Sequence, residues 1–319
     1  MRISRPQLLT SALVLLFLSL PALAGPVLFT LTDPRGDDHG DGKLVYPLND
    51  ELDPGDLDLL SVRAESERDG TTFELTFAKP VKTPGREPVD DLGTPLDTVA
   101  RFGFYTLNVD IYIDMDRVPG QGGLEMLPGR NAEVDPASAW ERAIILTPRP
   151  NEARGELKRM LTRSLNQEAK KEDTTLSEEQ IASLRAQIPG DVEERIFFPT
   201  QVRVRGQKIT FTVPNSFLGG PAKDTWSYVI AVSGNDLLQT TDLRRLAGKA
   251  GPESLMILPV SPGRWQDRFG GGRENAEIQP PLIDIVVPKG KTQEEILANF
   301  DQRGKRPVLL PGVVPAEQK

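Results

Sequence analysis

Leu107-Asn108-Val109-Asp110-Ile111-Tyr112-Ile113-Asp114 alternates apolar and polar residues over its whole length. Successive side chains of an extended chain point to opposite faces, so the run predicts a β-strand. Its buried face would carry Leu107, Val109, Ile111 and Ile113, and its wet face Asn108, Asp110, Tyr112 and Asp114. Phe73, Leu75 and Phe77 alternate with Thr72, Glu74 and Thr76 in the same way. Shorter runs of strand composition follow at Ala143 to Leu146, Val202 to Val204, Ile209 to Val213, Tyr228 to Val232 and Ile283 to Val287. Turn pairs separate them, among them Pro119-Gly120, Pro128-Gly129, Arg205-Gly206 and Pro262-Gly263. Many short strands without alternating long helices predict a mainly β protein, an antiparallel β-sandwich.

One stretch departs from this pattern. From Asn151 to Ile188, Leu157, Met160, Leu161 and Leu165 recur at helical spacing, as do Ile181, Leu184 and Ile188. Ser177 with Gln180 has the form of a capping box, and Pro189-Gly190 is read as the stop. With seven acidic and seven basic residues, the segment predicts a charged helical hairpin inserted between two strands. Such a hairpin usually packs on its own protein, and a partner-binding arm is the second reading. Shorter helical patches are expected at Leu243 to Leu246 and Glu294 to Phe300. The tail after residue 300, with Pro307, Pro311 and Pro315, reads as an extended surface segment.

Composition excludes several chemistries. The 319 residues include no Cys and one His, His39. That removes disulfides, thiolate zinc sites and cysteine nucleophiles, and argues against a Ser-His-Asp triad or a multi-histidine metal centre. A formal charge of −8 provides no basic stripe for nucleic acid. At the N-terminus Arg2 and Arg5 precede an apolar stretch, Leu8 to Leu20, which ends in Pro21-Ala22-Leu23-Ala24-Gly25. This is the pattern of a cleaved signal peptide over residues 1–24, too short in its apolar part to span a membrane, and it predicts export to the periplasm or the medium.

The mature N-terminus opens on Asp33-Pro34-Arg35-Gly36-Asp37-Asp38-His39-Gly40-Asp41-Gly42, and nine acidic residues fall between Asp33 and Asp58. Carboxylates so dense repel one another unless solvent or a cation separates them, and glycines let the loop wrap so that oxygens converge. Calcium is the expected ion, with Asp33, Asp37 and Asp38 as its ligands. A second candidate is Asp114-Met115-Asp116 with Gly120, half of a D-x-D loop, whose weight depends on the fold bringing it beside the first. Zinc and iron are disfavoured by the single imidazole. A glycosidase pair of carboxylates is not singled out by any apolar setting, and Phe269-Gly270-Gly271-Gly272-Arg273 lacks the Lys-Ser/Thr of a P-loop.

The Asp33 to Gly40 stretch with Tyr46-Pro47, Asp110 to Asp114, Leu127-Pro128-Gly129-Arg130-Asn131, Ala139-Trp140-Glu141, Val213-Pro214, Trp226-Ser227-Tyr228, Phe269 to Gly272 and Ile283-Asp284 follow one another in a pattern that resembles the C-terminal domain of bacterial glucodextranases. The resemblance runs from about Val27 to Phe300. It implies a DOMON-like β-sandwich of immunoglobulin-like layers, similar to family 9 carbohydrate-binding modules, with a structural calcium in the Asp-rich loop and no hydrolytic activity of its own. With a leader running straight into the module, the expectation is a stand-alone binding protein for polysaccharide or oligosaccharide. Sugar binding calls for flat aromatic faces. Trp265, in a loop with Arg264, Gln266 and Asp267, is the first choice, and Tyr112, Trp140 and Trp226 are further candidates, the last two being the likelier core members. The alternative functions are a cell-envelope interaction protein acting through the hairpin and, third, haem binding through His39, Met115, Met126, Met160 or Met256.

Overall fold

The computed structural model describes residues 25–84, 100–171, 174–236, 255–274 and 277–318. The leader expected over residues 1–24 and the helical patch at Leu243 to Leu246 lie outside them. Two antiparallel-dominated sheets form the sandwich that the alternating runs predict. The first has the order β1-β2-β3-β9-β8, built from β1 (Val27–Thr32), β2 (Leu59–Ser66), β3 (Gly70–Phe77), β9 (Lys208–Pro214) and β8 (Val202–Arg205). The second has the order β11-β10-β4-β6-β7, from β11 (Asp284–Ile285), β10 (Ser227–Gly234), β4 (Leu107–Asp114), β6 (Arg142–Leu146) and β7 (Ile196–Phe197). A small parallel pair joins β5 (Ala132–Val134) to β12 (Val308–Leu310).

Between the sheets lies one core, where Phe73, Leu75 and Phe77 of β3 meet Leu107, Val109, Ile111 and Ile113 of β4. Strand β3 keeps its other face, Thr72, Glu74 and Thr76, half in water, as alternation predicts. Strand β4 does not: all eight of its residues are buried. The supposed wet face is roofed by a second core, in which Tyr112 and Trp140 pack with Met126, Leu157, Met160, Val192, Leu297, Phe300 and Leu310. Several polar groups under that roof are paired inside the protein: the Asn108 amide donates to the carbonyls of Gly234 and Met256, and Asp110 pairs with Arg130. Period-two polarity therefore marks hydrogen-bonded burial here and not solvent.

The roof comes from the hairpin and the chain's end. Helix α1 (Pro150–Glu168) buries Ala153, Leu157 and Met160, so the hairpin packs on its own protein. Helix α2 (Glu178–Arg195) opens on the expected Ser177/Gln180 capping box. It does not stop at Pro189-Gly190 but runs through both to Arg195. A proline inside a helix sacrifices one backbone bond at about 3 kcal/mol, and here it lies one turn before Val192 and two before Ile196, whose burial holds the chain on course. Together the two helices form the crossover that parallel neighbours β6 and β7 require. A single turn, α3 (Asn215–Leu218), follows β9, and α4 (Gln293–Leu297) realises the patch expected near Glu294. The Pro-rich tail also differs from expectation: Val308, Leu310, Val313 and Val314 are buried, and Val313 bridges to Tyr228. Its prolines end pairing between buried residues instead of spacing an exposed strap.

Candidate functional site

The acidic loop begins where β1 ends, at Asp33, whose amide donates to the Leu60 carbonyl at 3.0 Å. Gly40 turns it at φ +60°, where an added Cβ would lie 2.9 Å from the Leu282 carbonyl oxygen, so only glycine fits. Gln293 at the start of α4, 1% exposed, fastens the loop from below: its amide Nε2 donates to the Gly40 and Ile283 carbonyls at 3.1 Å, and also to that of Asp37. The outcome is a convergence of Asp33, Asp37 and Asp284, each with a carboxylate oxygen within 4.8 Å of the others. Asp284, on β11, is wholly buried; its Oδ2 accepts the Leu59 amide at 2.6 Å, while Oδ1 accepts nothing. Both oxygens of Asp33, Oδ1 of Asp37 and Oδ1 of nearby Asp58 are likewise buried without a donor.

Unpartnered buried carboxylate oxygens are costly as anions, and their proton affinities respond. Burial pushes Asp33 up to about 8, with Asp37 and Asp58 adding repulsion and Asp284 partly offsetting it. Asp37 is pushed up to about 6, again chiefly by burial, with Asp58 and Glu294 adding to it. Asp284 is raised well above the carboxylate range by burial and by Asp33. The donor set is all hard carboxylate oxygen, which suits a cation of the calcium class better than zinc.

A pH dependence follows. In the unfolded chain these carboxyls titrate near about 4, so between that value and about 8 the folded state binds more protons than the unfolded one. Stability then falls as pH rises. In chelator, the denaturation midpoint is expected to drop between pH 5 and pH 8; a flat profile would show that Asp33 and Asp37 are ionised in the fold.

Asp38 does not join the cluster with which sequence reading grouped it. Its Oδ2 accepts the Tyr46 hydroxyl and, at 2.6 Å, the Gly55 amide, so it ties the loop to the following segment. His39 faces Glu294 at 3.4 Å. Asp284 was missed because some 250 residues separate it from the loop; only the Ile283-Asp284 motif hinted at it. Asp114 and Asp116 form a separate group with Glu141. Val232 of β10 pairs with Asp284, and Ser227 of β10 with Asp114. Five residues of strand separate the two groups by about 17 Å along the strand direction, at opposite ends of one sheet.

Of the aromatic candidates, Tyr112, Trp226 and Trp140 are buried and present no open ring face. The Tyr112 hydroxyl donates to Asp110 at 3.0 Å and accepts the Leu127 amide at 2.9 Å. Trp140 lies beneath the Arg195 guanidinium, 4.4 Å from ring centroid to carbon. Trp265 is the exception at 62% exposed, with exposed Val45 and Leu48. The Leu48 amide donates to the Trp265 carbonyl at 2.9 Å, Asn49 Nδ2 to the Gln266 carbonyl at 2.6 Å, and Arg264 to the carbonyls of Tyr46 and Pro47. The indole thus stands on a turn bolted to residues 46–49, and Tyr46 in turn is bonded to Asp38 in the acidic loop.

A family model matches residues 28–312: the C-terminal binding module, SLH-like, of glucodextranase. The chain belongs to that family. The module's match covers both sheets, the helical hairpin and β12, so the hairpin and most of the tail are parts of the fold. No curated protein matches the chain. The family is that of a binding module of glucodextranase and not of a catalytic domain. Among the described residues, no helix is long and apolar enough to cross a membrane.

Proposed function

We propose that this chain is an exported, non-catalytic module that binds polysaccharide through Trp265 and is stabilised by calcium held between Asp33, Asp37 and Asp284. The observation that carries the reading is the exposed indole on an anchored turn. A large apolar ring held 62% in the open by backbone and guanidinium bonds has a low entropy cost for stacking on the C–H face of a sugar ring. Family membership supports a binding role. The apolar stretch from Leu8 to Leu20 with its small-residue end supports export.

Calcium's part is structural in this reading. It would replace the protons that Asp33 and Asp37 otherwise hold, and so keep the acidic loop closed against β11. Through Asp38, Tyr46 and Arg264 the loop and the Trp265 turn form one hydrogen-bonded unit.

The test is affinity electrophoresis through gels containing α- and β-glucans, in calcium and in chelator. Retardation by one glucan is expected, with Trp265→Ala weakening it about tenfold, or about 1.4 kcal/mol. Because Trp265 packs on little else, the variant should keep its melting temperature. No retardation of the wild type by any glucan would sink the sugar-binding reading, and an unaffected Trp265→Ala would place binding elsewhere.

A further inference from the structure

We propose that Asp114, Asp116 and Glu141 form a second site for a hard divalent cation of the calcium class, at the end of the sheet opposite the first. Asp114 closes β4, Glu141 directly precedes β6, and β4 and β6 are neighbours, so strand pairing brings the two carboxylates together. Asp116 reaches them from the loop that leaves β4.

Each carboxylate uses one oxygen to shape the backbone. Asp114 Oδ1 accepts the Arg117 amide at 2.6 Å, Asp116 Oδ1 the Val118 amide at 2.8 Å, and Glu141 Oε2 the Met115 amide at 2.6 Å. What remains points to a ligand. Asp114 is 1% exposed, yet its Oδ2 has no donor, and neither has the buried Oε1 of Glu141. Buried carboxylate oxygens are ordinarily hydrogen-bonded, and these two lie in the same group with Asp116. The Arg117 guanidinium donates elsewhere, to Glu317 at 3.3 Å and to the Thr225 carbonyl at 3.5 Å, so it gives neither of these oxygens a hydrogen bond. Burial raises both Asp114 and Glu141 from the ordinary carboxylate value, with repulsion from Asp116 adding to it in each case and the Arg117 charge offsetting part of it at Asp114.

The surrounding loop is built to approach closely. Gly122, at φ +126°, passes so near that a Cβ there would lie 2.8 Å from Glu141 Oε1 and 2.8 Å from the Trp140 carbonyl. The 116–123 loop is fastened by the reciprocal Gly123–Trp140 bonds and by the Gly120 amide on the Pro136 carbonyl. A cation here would clamp the end of β4, the start of β6 and this loop. The Gly123 to Met126 segment that follows is one wall of a cavity of about 720 Å³ beneath the helical hairpin.

The experiment is calcium binding to the purified chain by equilibrium dialysis, with terbium luminescence as a second readout, since Trp140 adjoins Glu141 and can sensitise a lanthanide. Two ions per chain are expected. Asp116→Asn, at an exposed position, and Glu141→Gln should each leave one ion, Asp37→Asn should leave the other, and Asp37→Asn with Asp116→Asn should leave none; circular dichroism checks that each variant folds. Wild-type stoichiometry in both Asp116→Asn and Glu141→Gln would overturn the second site. So would a single bound ion lost in Asp37→Asn but kept in Asp116→Asn, which would leave the first site standing. No ion in the wild type would overturn both, while the Trp265 reading is judged separately on glucan gels.

Discussion

Replacing Arg130 with Met is expected to lower folding stability by about 3–5 kcal/mol and the melting temperature by roughly 10 °C, more than any other single change considered. Arg130 is 1% exposed, and its guanidinium grips Asp110 with Nε at 2.7 Å and Nη2 at 3.0 Å. Nη1 donates to the Leu255 carbonyl at 2.6 Å and to that of Pro128 at 3.1 Å. Removing the arginine leaves Asp110, 3% exposed, as a buried charge that, among the described residues, keeps only the Tyr112 hydroxyl as donor. It also takes a donor from the Leu255 and Pro128 carbonyls, of which Pro128 keeps the Leu255 amide. The pair itself is worth much less than its rupture costs, because both ions were desolvated to form it. Arg130→Met with Asp110→Leu should therefore recover much of the loss in a double-mutant cycle followed by urea denaturation. A loss below about 1 kcal/mol in the single variant would mean that water reaches Asp110, and that the second core is looser than described.

The second large effect is that of the cation. Anything that binds only the folded chain adds stability in proportion to the logarithm of its excess, about 2.7 kcal/mol per site at a hundredfold excess over its dissociation constant. Melting in calcium should therefore exceed melting in chelator, and the gap should widen as pH rises from 5 to 8, because protons and calcium compete for Asp33 and Asp37. Asp37→Asn and Asp284→Asn should remove the first site's share of the gap while costing little in chelator. Asp38→Asn should behave differently. Its carboxylate holds Tyr46 and Gly55, so stability should fall in both conditions while the gap stays. Equal losses in calcium and chelator for Asp37→Asn would show that the loop is held without metal.

These variants also separate what was legible from what was not. The acidic loop was conspicuous by density of like charge, and Asp33 and Asp37, both in it, lie in one group with Asp284. Asp38, directly after Asp37 in the same run, gave no sign that it turns away. Asp284 and Glu141 could not be paired with their groups from the chain alone, since strand pairing joins β10 to β11 and β4 to β6 across long stretches of sequence. Exposure was the other weak point. Trp265, among polar and glycine neighbours, was read correctly as open, while Tyr112 was placed in solvent by a pattern that cannot see a third layer.

By itself the sequence determined the elements: alternating runs became strands, and the 3.6-residue pattern after Asn151 became two helices with the expected cap at Ser177. These depend on near neighbours, so the chain carries them locally. Only the tertiary structure decided which polar residues are buried. Whether Asp110 faces water or Arg130, whether Pro189 ends a helix, and whether Asp114 meets Glu141 depend on what packs against them from far along the chain. The same holds for both candidate cation sites, because their charge is local but their convergence is topological.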